Sequence, residues 1–286
     1  MWHNFKQLVL VFALPVFALI SPQAVAQPKV EIEYGTLDRQ KLDIYSTANM
    51  SEAPVMVFIH GGGWHIGNKK RVHKQPAAFN REGFVYVSVG YPLLPDHPVE
   101  TQVRSVALAI AWTTENIETY GGDPNQLYLM GHSAGAHLAA LSVFDPQYLA
   151  AHKIKSENIL GLISVDGATL NVPWRMENLD VGIRYARRMF RQTFGEDRDR
   201  WQTLSPSHYI SDDQIPPPTL FLTAEEQTVS NMAADQVVDR LEEVGGTTKV
   251  VHVKNRNHLT IHRRLGRRND AAFDAILTFI DETRAR

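Results

Sequence analysis

Ser133 stands in the pentapeptide Gly131-His132-Ser133-Ala134-Gly135. A serine hydroxyl is a weak nucleophile until a neighbouring base takes its proton, and it must also be presented to substrate. A sharp turn from strand to helix does the presenting. The apolar stretch Leu127 to Met130 runs into the pentapeptide, and the helix-forming run Ala136 to Ala140 follows it. Glycines at 131 and 135 remove side chains that would clash where strand and helix converge. A second constellation, His60-Gly61-Gly62-Gly63-Trp64, follows the apolar run Val55 to Ile59. Acyl transfer passes through an oxyanion, and fixed backbone N–H groups stabilise it. The amides of Gly62, Gly63 and Ala134 are assigned that task. A phosphate-binding reading of the glycines fails, because neither Gly-x-x-x-x-Gly-Lys-Ser/Thr nor Gly-x-Gly-x-x-Gly is present.

Where a nucleophile sits on such a turn, its partners follow in the order carboxylate, then histidine. His60 precedes Ser133 and reads as a brace for the glycine loop. His258, in the polar loop Asn255 to Leu259 after the run Lys249 to Val253, is the expected base. His252 and His262 read as structural. The acid is sought after the preceding strand, Pro218 to Leu222, in the loop Thr223 to Val229. Glu226 is the choice there and Glu225 the reserve; such a carboxylate would fix the imidazole tautomer and stabilise the imidazolium. Trp64 and Trp174, with Met176 and Phe190, are candidates to line a substrate pocket, with ordinary packing as the competing reading.

The elements that must position these groups alternate along the chain. Val30 to Tyr34 and Lys41 to Tyr45 read as an opening hairpin. Runs at Val55 to Ile59, Phe84 to Val89, Leu127 to Met130, Leu160 to Val165, Pro218 to Leu222 and Lys249 to Val253 read as buried parallel strands. Helical spacing marks Thr101 to Ile117, Ala134 to Phe144, Asn231 to Val244 and Asn269 to Thr283. This alternation predicts an α/β fold, a doubly wound and mostly parallel sheet with an antiparallel N-terminal hairpin. Residues 171–210 break the rhythm; they carry a helix over Asp180 to Phe194 and are expected to form a small cap insertion, too short for a core of its own.

The chain has 286 residues, 44% hydrophobic and 21% charged, with a formal net charge of -2. That balance lacks the basic stripe that nucleic-acid binding needs. The densest basic cluster, Arg263, Arg264, Arg267 and Arg268, reads as lying near the start of a solvated helix. No cysteine is present, so disulfides and thiolate chemistry are excluded. Lys6, the apolar run Leu8 to Ile20 and the small residues of Ala24-Val25-Ala26 read as a signal peptide over 1–26, cleaved after Ala26, with 27–286 as one domain. The apolar run is too short for a comfortable membrane span. A secreted or periplasmic location follows as the expectation.

Together these residues resemble the α/β-hydrolase superfamily, within its carboxylesterase, feruloyl-esterase-like and kynurenine-formamidase-like group. The resemblance runs from about Glu31 to the end of the chain. Gly90-Tyr91-Pro92-Leu93-Leu94-Pro95, Tyr120-Gly121-Gly122-Asp123-Pro124 and Ser205-Pro206 also carry it. It implies an α/β-hydrolase fold, a Ser133-Glu226-His258 triad, a covalent acyl-enzyme and no cofactor or metal. The chain departs from the group at Glu226, where Asp is commoner, at Thr223, where glycine is usual, and in the loop before His258, which lacks a glycine. The expected reaction is hydrolysis of small or aryl carboxylic esters, with a small-molecule ester as the partner. An arylformamidase-type amide hydrolase, an acyltransferase and an inactive binding protein on this fold are the alternatives.

Overall fold

Each apolar run becomes a strand, and those in the middle of the sheet are buried on both faces. A computed structural model describes residues 29–179 and 184–284. The expected signal segment and the first residues of the helix expected at 180–194 lie outside them. The strands are β1 (Val30–Glu33), β2 (Lys41–Tyr45), β3 (Ala53–Ile59), β4 (Val85–Val89), β5 (Gly122–His132), β6 (Ile159–Val165), β7 (Thr219–Ala224) and β8 (Thr248–Val253). The helices are α1 (Gln75–Arg81), α2 (Val99–Asn116), α3 (Ala134–Phe144), α4 (Pro146–Ala150), α5 (Val172–Glu177), α6 (Arg184–Phe194), α7 (Arg198–Thr203), α8 (Thr228–Glu243), α9 (His258–Arg264) and α10 (Ala271–Arg284).

The strands form one eight-stranded sheet in the order β1-β2-β4-β3-β5-β6-β7-β8. β1 and β2 pair antiparallel, β2 joins β4 antiparallel, and every later pairing is parallel. The strand period of two explains why the runs are apolar throughout. On β3, Val55, Val57 and Ile59 face a core shared with α2 and α3, while Met56 and Phe58 face a second core shared with α1, α9 and α10. Leu127 and Leu129 divide from Tyr128 and Met130 in the same way on β5. Helix α3 is buried along its whole length, which requires a sequence apolar on all sides.

Among the described residues, five helices carry no periodicity in the sequence: α1, α4, α5, α7 and α9 span seven residues or fewer, too short for an apolar stripe to repeat. The arginine cluster is exposed and divided across the junction between two helices. Arg263 and Arg264 end α9, and Arg267 and Arg268 lie in the turn before α10. The segment between β6 and β7 carries α5, α6 and α7, and α6 packs on the loop after β3 through Met189, Phe190 and Phe194. No helix among the described residues is long and apolar enough to cross a membrane.

Candidate active site

Parallel strands put all their C-terminal ends on one edge, and every candidate group lies there. Ser133 follows β5 directly at φ 55° and ψ −121°, outside the regions an L-residue ordinarily occupies. Such strain costs about 1–3 kcal/mol and persists only where surrounding structure fixes it. Here the Ser133 N–H donates to Val165 O at 3.0 Å, extending the β5–β6 ladder, and Ser133 O accepts from the Ala136 N–H. The following glycine makes the close approach possible. A Cβ on Gly135 would lie 2.2 Å from Ile59 O and 2.6 Å from His60 O, both backbone atoms that cannot yield.

His258 is the first residue of α9, and its Nε2 lies 2.9 Å from Ser133 Oγ. Its Nδ1 lies 2.5 Å from Oδ2 of Asp166. Nδ1 therefore donates to the carboxylate, and the Nε2 lone pair faces the serine hydroxyl. Asp166 follows β6 as Ser133 follows β5, and the pairing of His132 with Val165 sets the two side by side. The Asp166 carboxylate is fully buried, and its Oδ1 accepts the Ala224 N–H at 3.0 Å. Both oxygens thus have donors, which a buried carboxylate requires.

This corrects the expectation for Glu226. Glu226 is exposed in the turn beyond β7, where the Gln227 N–H bonds back to Ala224 O. The reserve, Glu225, is exposed too, its carboxylate accepting the Asn255 N–H at 3.3 Å. The end of β7 contributes a backbone amide to the site, and the strand before it contributes the carboxylate that meets His258. The signal was present in the sequence: Val165-Asp166-Gly167 puts a carboxylate directly after a strand that is apolar but for Ser164, as Ser133 follows its own.

The glycine loop after β3 is shaped by backbone conformations that favour glycine. Gly62 has φ 135° and Gly63 φ 59°. The His65 and Ile66 amides both bond to Gly62 O, closing the turn. Gly61 lies against the nucleophile; a Cβ there would be 3.0 Å from Ser133 Cβ. Among the described residues, the amides of Gly62 and Gly63 have no hydrogen-bond acceptor. Ala134 opens α3, where the first N–H groups have no intrahelical acceptor. Met189 of α6 covers the loop, its Sδ 2.3 Å from where a Gly63 Cβ would be.

Trp64 is a second correction. Its indole is 2% exposed and lies edge-on to His137, Phe190 and Phe194, with centroids 5.0–5.7 Å away. Its N–H bonds to His137 Nδ1 at 3.3 Å, and His137 Nε2 donates to Leu204 O at 2.7 Å. Trp64 is a strut between α3 and α6, because a buried indole needs both apolar neighbours and a partner for its N–H. Trp174 is half-buried on α5, whose N-terminus is capped by Asn171.

The remaining histidines sit as braces. His60 stacks on Tyr91 at 4.3 Å and donates Nδ1–H to Gly61 O at 2.9 Å. His252 bonds to Thr223 Oγ1 at 2.7 Å. Burial pushes His60 and His137 down to about 4. Burial, with the neighbouring His73, pushes His262 down to about 4 as well. All three rings are neutral at pH 7.

The BD-FAE family model matches residues 42–241. A similar curated relative is an isoprenylcysteine alpha-carbonyl methylesterase of Arabidopsis thaliana, 27% identical over 89% of this chain and 62% of the relative. A kynurenine formamidase of Salmo salar is 30% identical over 57% of this chain and 56% of the relative. The chain thus spans less than two thirds of the length of these relatives. Among solved structures, esterase B of Lactobacillus rhamnosis superposes with a TM-score of 0.74 at 18% identity, covering 93% of this chain and 89% of that one. A thermostable carboxylesterase from a metagenomic library gives 0.73 at 19%, covering 92% and 90%. At these identities the two structures speak to fold alone, and the fold is that of the α/β-hydrolases.

Proposed function

The chain belongs to the BD-FAE family, and on that premise we propose that it is a serine hydrolase of carboxylic esters acting through Ser133, His258 and Asp166. The observation that carries this reading is the continuous line from Ser133 Oγ to His258 Nε2 and from His258 Nδ1 to Asp166. His258 Nε2 takes the hydroxyl proton as Ser133 Oγ attacks the acyl carbon. The negative charge that builds on the carbonyl oxygen is met by the amides of Gly62, Gly63 and Ala134. As the tetrahedral species collapses, His258 Nε2–H protonates the leaving oxygen and the alcohol departs. The acyl group stays on Ser133. A water then gives its proton to His258 and attacks the acyl carbon, and the carboxylic acid is released as Ser133 regains its proton. Asp166 accepts the Nδ1–H throughout, holding the tautomer and stabilising the transient imidazolium.

Ser133→Ala is the direct test. It is expected to abolish ester turnover and fluorophosphonate labelling while leaving the thermal unfolding temperature within a few degrees of wild type. Full activity in that variant overturns the reading. Small or aryl esters are the proposed substrate class, supported by the short insertion over the site. The formamidase relative favours a second reading, an arylformamidase-type amide hydrolase using the same residues. Rates on p-nitrophenyl acetate against an N-formyl aryl amine separate the two. Export is proposed from Lys6, the run Leu8 to Ile20 and Ala24-Val25-Ala26; N-terminal sequencing of the processed protein should begin at Gln27.

A further inference from the structure

We infer that His132 and His262 are positioning residues that hold the backbone of His258 in register with Ser133. The inference rests on the serine-hydrolase reading above. His132 occupies the first x of the Gly-x-Ser-x-Gly pattern, where acyl chemistry asks nothing of a side chain. Yet its ring is buried and its Nε2 lies 2.9 Å from His258 O. A carbonyl only accepts, so Nε2 carries the proton and donates it. The same ring lies 4.8 Å from that of His258 and stacks on His262 at 4.7 Å and 16°. His258 and His262 are four residues apart on α9 and therefore share a face. One helix thus presents two imidazoles to the residue preceding the nucleophile.

His262 is itself anchored from the sheet side. It stacks on Phe58 at 5.4 Å, donates Nε2–H to Arg71 O at 3.0 Å and accepts at Nδ1 from Gln75 at 2.9 Å. Gln75 Oε1 in turn accepts the Tyr86 hydroxyl at 2.6 Å. A defined chain of donors and acceptors therefore leads from β4 to α9. Burial keeps the His132 ring well below the ordinary histidine range, so it stays neutral with one N–H. Two contacts then divide the work on His258: Asp166 orients its ring, and His132 holds its backbone. Misplacing a catalytic group by about 1 Å can cost on the order of 10²-fold in rate, so this second contact bears on turnover.

Fluorophosphonate labelling of Ser133 reads this directly and does not depend on knowing the natural ester. His132→Phe keeps a ring without the donor and is expected to label at least about tenfold more slowly, with kcat falling alike and KM within about twofold. His132→Gln keeps an N–H at similar reach and is expected within about threefold of wild type. His262→Ala should slow labelling by about fivefold or more, again through kcat. Circular dichroism checks that each variant is folded; if His132→Phe is not, His132→Asn, too short to reach the carbonyl, carries the same expectation. Labelling of the Phe or Asn variant at the wild-type rate, or a Gln variant as slow as Phe, overturns the role of His132. A wild-type rate in His262→Ala removes His262 from it. Wild-type protein that fails to label overturns the serine-hydrolase reading itself.

Discussion

Asp166 and Glu226 are both carboxylates following strands on the same edge of the sheet, yet only Asp166 can serve His258. The difference is burial and reach. Asp166 is fully buried with both oxygens engaged, whereas Glu226 is exposed in a turn. Replacing Asp166 with Asn leaves the volume but offers the imidazole the wrong tautomer, since the amide N–H₂ can meet Nδ1 only as a donor. Comparable tautomer losses in triads cost about 10⁴ in kcat. Asp166→Asn is therefore expected to lower kcat by roughly three to four orders of magnitude, while Glu226→Gln stays within about twofold of wild type, as exposed substitutions generally do. Steady-state kinetics on one p-nitrophenyl ester distinguish them. A larger loss in Glu226→Gln than in Asp166→Asn would return the acid to the loop after β7.

Helix α9 begins with His258, so the fidelity of its first turn bears on the site. Asn257 caps it: its Oδ1 accepts the Leu259 N–H at 3.2 Å and the Thr260 N–H at 3.0 Å. The Thr260 hydroxyl reciprocates by accepting the Asn257 N–H at 2.8 Å, completing a capping box. A seven-residue helix has little intrinsic stability and depends on such caps and on packing. Asn257→Ala is expected to lower unfolding free energy by about 1 kcal/mol, measured by urea denaturation. Asn257→Ser, which keeps a capping oxygen, should recover most of that loss. A stability unchanged in the Ala variant would show that α9 is held by its buried Ile261 and its histidine contacts alone.

Across the molecule, buried neutral histidines tie stability to pH. His60 beside the glycine loop and His137 within α3 are both pushed down to about 4 by burial. In the unfolded chain each titrates near its ordinary value of about 6.5. Between these values the unfolded state binds more protons than the folded one, so stability is full above about 6.5 and declines as pH falls toward about 4. The decline approaches about 1.4 kcal/mol per pH unit for each histidine in that window. Thermal unfolding from pH 7.5 to 4.5 is expected to show a steadily falling midpoint. A midpoint constant over that range would mean that these rings take up protons as readily in the folded protein as in the unfolded chain.

Local order in the sequence determined much of this protein. Short apolar runs bounded by turn residues read as strands, and Gly131 to Gly135 between a strand and a helix reads as a sharp turn, so the sheet and the placement of Ser133 were legible. His258 was legible as well, because a polar loop after the last strand is where a late histidine can act. The carboxylate that meets His258, the packing of Trp64 and the contacts of His132 were decided only by tertiary structure. Asp166, Ala224 and His258 are far apart in the chain, and their meeting depends on the register of three strand ends and on how the loop before α9 folds back. Neither burial of a carboxylate nor the inward turn of an indole is a property of neighbouring residues. Both arise when the whole sheet fixes which groups lose their water and which donors are left to replace it.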